Sequence, residues 1–343
     1  MTVHRSVVAW RVLAALGAAG LLPAHGTAQA TLFRADSALP ITLRADFRSM
    51  FRDRDTTKKV WREATLTYAE GAGPVTIPVR MHTRGIWRLK NCDDPPIRLD
   101  FADSTVKGTL FRGLHHPKLV VPCLSGSDYE QYILQEYAIY RVLRLVWPVS
   151  PAARLLRVTL EDQNGRTRGP ARYGFITEDP ERLARRLGGT LDNSGGIQVK
   201  DLTPYNAGLL LLFQYFIGNT DWSLPALHNA TAIIVHDTIF PLVWDFDMSG
   251  VVDPPYARPD PRLPIRSVRE RIWIWHCLSA AELEPALARF EALRDSITAL
   301  YRTIPALTPR EQQRTLGYYD DFYAAIANRE RFERNVIARD CRN

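Results

Sequence analysis

The sequence predicts an α+β protein of two lobes. A β-rich first lobe over residues 31–178 contains one inserted helix, and a mainly helical second lobe covers 179–343. Up to residue 178, apolar residues alternate with polar ones in short runs, which is typical of strands. Beyond it they recur every three or four positions, which is typical of helices. A chain of 343 residues is long enough for two lobes that share a cleft.

Residues 1–30 have the pattern of an export signal. His4 and Arg5 precede an apolar stretch over 7–22, and Ala28-Gln29-Ala30 matches a cleavage site. The mature protein is therefore expected to begin near Thr31 and to be periplasmic or secreted, with no integral membrane segment once the signal is removed. An uncleaved membrane anchor is the alternative.

The strands of the first lobe are predicted from alternating or β-branched runs. A change to helical periodicity over 128–145 predicts the inserted helix. The predicted strands are 64–68, 75–81, 97–101, 118–121, 155–161 and 172–177.

The second lobe is expected to contain helices and one hairpin. Two apolar runs flank the turn residues His236-Asp237-Thr238, which predicts a hairpin over 230–243. The proline-rich segment 253–264 predicts an irregular loop. The predicted helices are 180–187, 205–217, 267–276, 280–301 and 309–336.

Four cysteines in an exported chain indicate disulfides. Four cysteines allow three connectivities. The pairing that keeps each bond within one lobe joins Cys92 to Cys123 and Cys277 to Cys341. Their spacing does not match a zinc site.

The charge pattern argues against nucleic-acid binding. The formal net charge is +7, but basic and acidic residues alternate throughout and no basic stripe is interleaved with aromatic residues.

Four polar residues frame the predicted hairpin. Asp221 and Asn229 stand at its entrance, and Asp245 and Asp247 stand at its exit. Carboxylate and amide oxygens suit Mg²⁺ or Mn²⁺, so Asn229, Asp245 and Asp247 are candidate metal ligands. Asp221 is the candidate catalytic residue, and capping of a turn is its structural alternative.

The first lobe supplies four candidate nucleotide-binding residues. Lys118 opens an apolar strand that precedes the helix carrying Glu136, a spacing that suits a strand-to-helix ion pair on phosphates. Arg84 is a second basic candidate. Glu178 ends the segment expected to join the lobes, where backbone groups would contact a nucleobase.

At these residues the chain resembles the CotH family of spore-coat kinases, which are similar to HipA-type and secretory-pathway kinases. The resemblance covers roughly 81–250 and implies a bilobal protein-kinase-like fold, with ATP or another nucleotide as co-substrate. In HipA-type kinases a Gly-Asn-x-Asp segment supplies the catalytic Asp, here Asp221, and a later Asn supplies a metal ligand, here Asn229. The matching features are Arg84-Gly85, 96–101, 118–136, 173–178 and the series Asp221, Asn229, Asp245 and Asp247.

The sequence therefore predicts an exported kinase that transfers a phosphoryl group to a hydroxyl of a protein Ser, Thr or Tyr or of a small molecule. Two alternatives stay open. One is a catalytically inactive, pseudokinase-like surface or assembly protein. The other is a metal-dependent phosphoesterase, for which His228 is the nearby additional ligand.

Overall fold

A closed, mixed β-barrel of seven strands forms the first part of the structure. The computed structural model describes residues 31–71 and 73–341. The strands follow the order β1-β2-β3-β4-β5-β7-β6 around the barrel, and β1 pairs parallel with β6 to close it. They are β1 (Leu39–Ala45), β2 (Arg62–Glu70), β3 (Gly73–Thr83), β4 (Ile97–Asp100), β5 (Lys118–Val120), β6 (Ala153–Asp162) and β7 (Arg172–Thr177).

Barrel closure contradicts the predicted bilobal protein-kinase-like fold. All seven residues of β1 pair with β6, from Leu39 opposite Leu156 to Ala45 opposite Asp162, while the other edge of β1 pairs with β2. The strands therefore enclose their own core instead of forming an open sheet above a helical lobe. Alternation along a strand shows which face is buried but not which strands are neighbours, so this closure could not be predicted from the sequence.

Helices lie between the barrel strands along the chain and follow the last of them. They are α1 (Phe47–Arg52), α2 (Trp87–Asn91), α3 (Asp103–Val106), α4 (Ser127–Val146), α5 (Pro180–Leu187), α6 (Pro204–Ile217), α7 (Ala280–Thr303), α8 (Pro309–Ile326), α9 (Arg329–Phe332) and α10 (Ala338–Asp340). Short 3₁₀ turns occupy Thr31–Arg34 and Val199–Asp201, and a π-helical turn occupies Glu333–Ile337.

Helix α6 lies at the centre of the helical part. Thr203 caps its start and Pro204 occupies its first turn, while Gly218 ends it in the left-handed conformation. A Cβ atom at Gly208 would clash with the carbonyl of Glu282, so the glycine permits the close approach of α6 to α7. Apolar residues of α6, α7 and α8 form one cluster with those of α4 and with Phe175 of β7, which joins the helices to the barrel.

Most predicted helices are confirmed, but two predictions were wrong. Residues 267–276 form no helix because Arg271 donates to the carbonyls of Tyr215, Phe216 and Tyr318, holding an irregular strap across the end of α6. The predicted helix 309–336 is interrupted after Ile326, where Asn328 caps the start of a separate helix.

A second sheet carries the predicted hairpin. Its strands are β8 (Thr190–Asp192), β9 (Ala230–Val235) and β10 (Thr238–Val243), in the order β10-β9-β8. Strands β9 and β10 pair antiparallel around His236 and Asp237, whose φ angles of 44° and 63° are those of a tight hairpin turn. The hairpin prediction is confirmed.

Two disulfides confirm the pairing expected from the sequence, Cys92 with Cys123 and Cys277 with Cys341. Both bonds fit a chain exported to an oxidising compartment. The export signal predicted over 1–30 lies outside the described residues. Across 31–71 and 73–341, no helix has the length and apolar character needed to cross a membrane.

Each disulfide is expected to contribute about 4 kcal/mol to the free energy of unfolding, because the bonds close loops of 31 and 64 residues and restrict the unfolded chain. The variants C92S/C123S and C277S/C341S should each lose that amount in urea titrations at pH 7. Dithiothreitol should destabilise the wild type by more than it destabilises either double variant. Equal urea midpoints for wild type and variants would show that the bonds do not restrain the unfolded chain.

Candidate functional site

The exit of the hairpin carries two neighbouring carboxylates, of which that of Asp245 is partly exposed and that of Asp247 is buried. Asp245 follows β10 with a φ of 65°, and its backbone N–H donates to the Tyr140 hydroxyl at 3.1 Å. This left-handed residue turns the chain, so Asp245 and Asp247 do not continue the strand. Asp247 is buried, and its Oδ2 accepts a hydrogen bond from the Tyr256 hydroxyl at 3.1 Å.

Two arginines from the barrel face these carboxylates. Arg84 Nη2 lies 3.6 Å from Asp245 Oδ2, and Arg88 Nη1 lies 3.9 Å from Asp247 Oδ2. Both arginines belong to the β3–β4 connection, in which Gly85 has a φ of 84°. Sequence reasoning found Arg84 but missed Arg88. Its four-residue separation from Arg84, in the short helix α2, was the signal that could have found it.

Lys118 and Glu136 belong to the same cluster, but they do not form a direct ion pair within 4.0 Å. Lys118 Nζ instead lies 4.4 Å from the centre of the Trp244 ring. The Glu136 carboxylate is buried, and neither of its oxygens has a hydrogen-bond partner among the described residues. Lys118 and Glu136, predicted to form a strand-to-helix ion pair, are therefore members of one cluster but do not contact each other directly.

The pKa values of this cluster diverge because its members share a poorly solvated space. Desolvation lowers the pKa of Lys118 well below its usual range, and Arg84 lowers it further. Desolvation raises the pKa of Glu136 well above its usual range, and the charges of Asp247 and Asp245 add to this.

The pKa values of the two aspartates, Asp245 and Asp247, are likewise shifted in opposite directions. Burial, followed by the charge of Asp245, raises the pKa of Asp247 to about 6. Burial also acts to raise the pKa of Asp245, but Arg84 and Lys118 outweigh it and hold the pKa below its usual value. The pair thus contains one firmly ionised carboxylate and one that binds a proton more readily.

At the hairpin entrance, Asp221 is held by its neighbours. His228 Nε2 lies 2.7 Å from Asp221 Oδ1, and Asn229 Nδ2 donates to Asp221 Oδ2 at 3.2 Å. The Asp221 backbone N–H donates to Oδ1 of buried Asn219, which is itself bonded to Gln214 on α6. Helix α6 therefore fixes the direction of the Asp221 backbone.

A cleft of about 670 Å³ opens beside Asp221 and His228. The proline-rich loop forms its opposite wall. The charge of Asp221 also raises the pKa of Asp247, and that of His228 lowers the pKa of Asp245, so the cleft and the buried cluster are electrostatic neighbours. The lining residues are Thr220, Asp221, Trp222, Ser223, His228, Met248, Arg258, Pro259, Asp260, Pro261, Arg262 and Val268.

Glu178 makes its contacts elsewhere. Its carboxylate accepts two hydrogen bonds from Arg186, at 3.1 and 3.0 Å, and Arg182 lies 3.5 Å away. Strand β7, which precedes Glu178, is paired with β5 on one side and β6 on the other. Phe175, Ile176 and Thr177 are paired on both sides, so the ladder occupies backbone groups that the sequence had suggested for a nucleobase contact.

The oxygen donors partly fit the predicted divalent cation. Asp245 and Asp247 supply two carboxylates, and Asn229 keeps its amide oxygen free because its nitrogen faces Asp221. Within the described residues, no three or more His, Cys, Asp or Glu side chains are grouped as a metal site. A cation held by the two aspartates would complete its shell with phosphate oxygens and water, as Mg²⁺ commonly does.

Comparison with known proteins identifies no family for this chain: no family model matches it, and no curated protein does. Functional conclusions therefore rest on the geometry of the site.

Removing the Asp247 carboxyl should change how stability depends on pH. The folded-state pKa of Asp247 is raised from 3.8 to about 6, so its contribution to stability is complete below pH 3.8 and is lost as the pH rises through 6. Relative to Asp247→Asn, the wild type should therefore lose on the order of 3 kcal/mol of unfolding free energy between pH 3.8 and pH 7.

Urea titrations in chelator at several pH values would measure this difference. Asp295→Asn, on the exposed face of α7, is the matched control and should differ from the wild type by a constant amount. A constant difference for Asp247→Asn as well would contradict the raised pKa.

Proposed function

We propose that this protein is an exported phosphotransferase that moves a phosphoryl group from a nucleotide to a hydroxyl-bearing acceptor, with Mg²⁺ or Mn²⁺. The resemblance to CotH-like kinases belongs to this proposal as a likeness of site residues, not of fold. Its main support is the convergence of residues from separate segments on Asp245. Arg84 lies 3.6 Å away, while Lys118, Arg88 and His228 all act on the Asp245 pKa.

The basic side chains of the cluster suit nucleotide phosphates. Arginine guanidinium groups bind phosphate oxygens with two parallel hydrogen bonds, and a lysine provides a point charge. Arg84, Arg88 and Lys118 come from three places on the β3–β5 part of the barrel and face the same pair of aspartates. An incoming triphosphate would compete with Asp245 and Asp247 for these cations.

The acidic side chains have separate roles in this proposal. Asp245 and Asp247 would hold the cation, which would neutralise charge that develops on the phosphates. Asp221 lies outside the buried cluster, in the cleft, where it would orient the acceptor hydroxyl and accept its proton.

A non-catalytic surface or assembly protein is the second candidate, and charge balance favours it. Three basic groups already face three carboxylates in the cluster, so a ligand is not needed to neutralise it. In this reading the ion pairs hold the barrel to the hairpin. The phosphoesterase alternative gains no support from His228, because its Nε2 faces Asp221 and not Asp245 or Asp247.

Nucleotide and metal together should stabilise the mature protein. Ligand at about 100 times its dissociation constant adds roughly 2.7 kcal/mol, which raises the unfolding midpoint by several degrees. Thermal shift with ATP and Mn²⁺ or Mg²⁺ would measure this. Asp245→Asn should abolish the metal-dependent part, since asparagine tolerates the positive φ but supplies no charge to the cation.

Asp295→Asn is again the matched control and should shift like the wild type. A midpoint that no nucleotide changes, for wild type and Asp245→Asn alike, would reject the phosphotransferase proposal and favour the non-catalytic one. A loss of folding in Asp245→Asn without ligand would assign Asp245 a structural role.

A further inference from the structure

Asp221 is held through both of its carboxylate oxygens by two consecutive residues. Oδ1 faces His228 Nε2 at 2.7 Å. Oδ2 and the backbone carbonyl of Asp221 both accept from Asn229 Nδ2, at 3.2 and 2.9 Å. Neither contact requires a metal, and together they fix the plane of the carboxylate.

The local backbone explains how these side chains reach Asp221. Ser223 and His228 exchange two backbone hydrogen bonds, at 2.8 and 3.0 Å, and so close the loop 223–228. Asn229 then turns the chain into β9 with a φ of 50°. The four residues between Ser223 and His228 therefore form the loop and do not carry Asn229 away from Asp221.

We propose that the cleft beside Asp221 binds the hydroxyl-bearing acceptor and that His228 and Asn229 are positioning residues for Asp221. This inference rests on the proposed function. The acceptor oxygen forms a bond to the terminal phosphorus of the nucleotide as the bond from that phosphorus to the leaving diphosphate breaks. The proton of the acceptor hydroxyl passes to the Asp221 carboxylate, whose orientation the two side chains maintain.

The walls of the cleft indicate an acceptor without charge next to its hydroxyl. Asp260 holds Arg262 through both carboxylate oxygens, with Nε at 3.0 and 3.1 Å. Arg258 donates to the carbonyls of Pro255 and Ala257 in its own loop. Arg258 and Arg262, which line the cleft, thus each make contacts within their own loop, and Asp221 would repel an anionic acceptor.

The remaining lining combines apolar and hydroxyl side chains. Met248, Val268 and two prolines contribute apolar surface to the cleft, and Thr220 and Ser223 contribute hydroxyl groups. The Trp222 side chain also lines it, and its buried Nε1 has no hydrogen-bond partner among the described residues. A neutral alcohol offers an oxygen that such a donor can bind, as a serine or threonine in an uncharged segment does.

The test compares His228→Ala, His228→Gln and Asn229→Gly with the wild type. Gly keeps the positive φ at 229 while removing the amide, and Gln keeps a side-chain N–H donor at 228. The matched control is His276→Gln, because His276 also faces a carboxylate, Glu282 at 3.7 Å, away from the cleft. The readouts are the ATP–Mn²⁺ thermal shift and the kinetics of phosphoryl transfer to water and to two serine peptides, one with neutral and one with glutamate flanks.

We expect His228→Ala and Asn229→Gly to lower kcat about 10- to 100-fold, because a misplaced base costs turnover. His228→Ala is the variant that should leave the nucleotide KM and the thermal shift unchanged, since Asn229 is also a candidate metal ligand. His228→Gln should recover most of the rate, and the neutral peptide should be the better acceptor. Rates equal to those of His276→Gln, or no recovery in His228→Gln, would overturn the positioning role. Preference for the glutamate-flanked peptide would overturn the acceptor class.

Two outcomes separate this inference from the proposed function. A wild type that binds ATP and Mn²⁺ but transfers phosphate to neither peptide nor water would overturn the role given to Asp221 and its partners alone. A wild type whose midpoint no nucleotide shifts would reject the phosphotransferase proposal itself, and the acceptor cleft with it.

Discussion

The pairing of buried charges is the constraint on which the rest of the structure depends. Carboxylates in a poorly solvated interior are costly unless opposite charges face them. Here the acidic groups arrive from the hairpin and from α4, while the basic groups arrive from the barrel. The hairpin and barrel must therefore meet in one register for any of these charges to be compensated. The groups are Glu136, Asp245 and Asp247 against Arg84, Arg88 and Lys118.

The barrel ladder supplies that register. Thr83 pairs with Ile97, Ile97 pairs with Leu119, and Leu119 pairs with Ile176, so these residues form a row across four strands, with Lys118 next to it. The chain leaves β3 and enters β5 at the same end of the barrel. Arg84 and Lys118 are consequently held close together by strand pairing, although 34 positions separate them. The site is thus built on rigid elements, with the left-handed Asp245 as its turning point.

Local patterns predicted local structure well, because periodicity reports which face of an element is buried. The hairpin, helix α4 and the grouping of Asp221 with Asn229 all follow from short sequence segments. Barrel closure could not be predicted, since strand alternation carries no information about a parallel partner 117 positions away, as Leu156 is from Leu39. Arg88 and the strap held by Arg271 were missed because each depends on backbone carbonyls or carboxylates that only the assembled fold brings near.

The disulfide between Cys92 and Cys123 has a consequence for when the cluster can assemble. Cys92 directly follows the helix that carries Arg88, and the bond ties it to the segment after β5, where the Asp93 amide also bonds the Cys123 carbonyl. The C-terminal end of the helix that carries Arg88 is therefore tied covalently to the segment after β5 only once the disulfide has formed. In a reducing compartment the tether would be open, and the helix that carries Arg88 would lack its covalent link to the segment after β5.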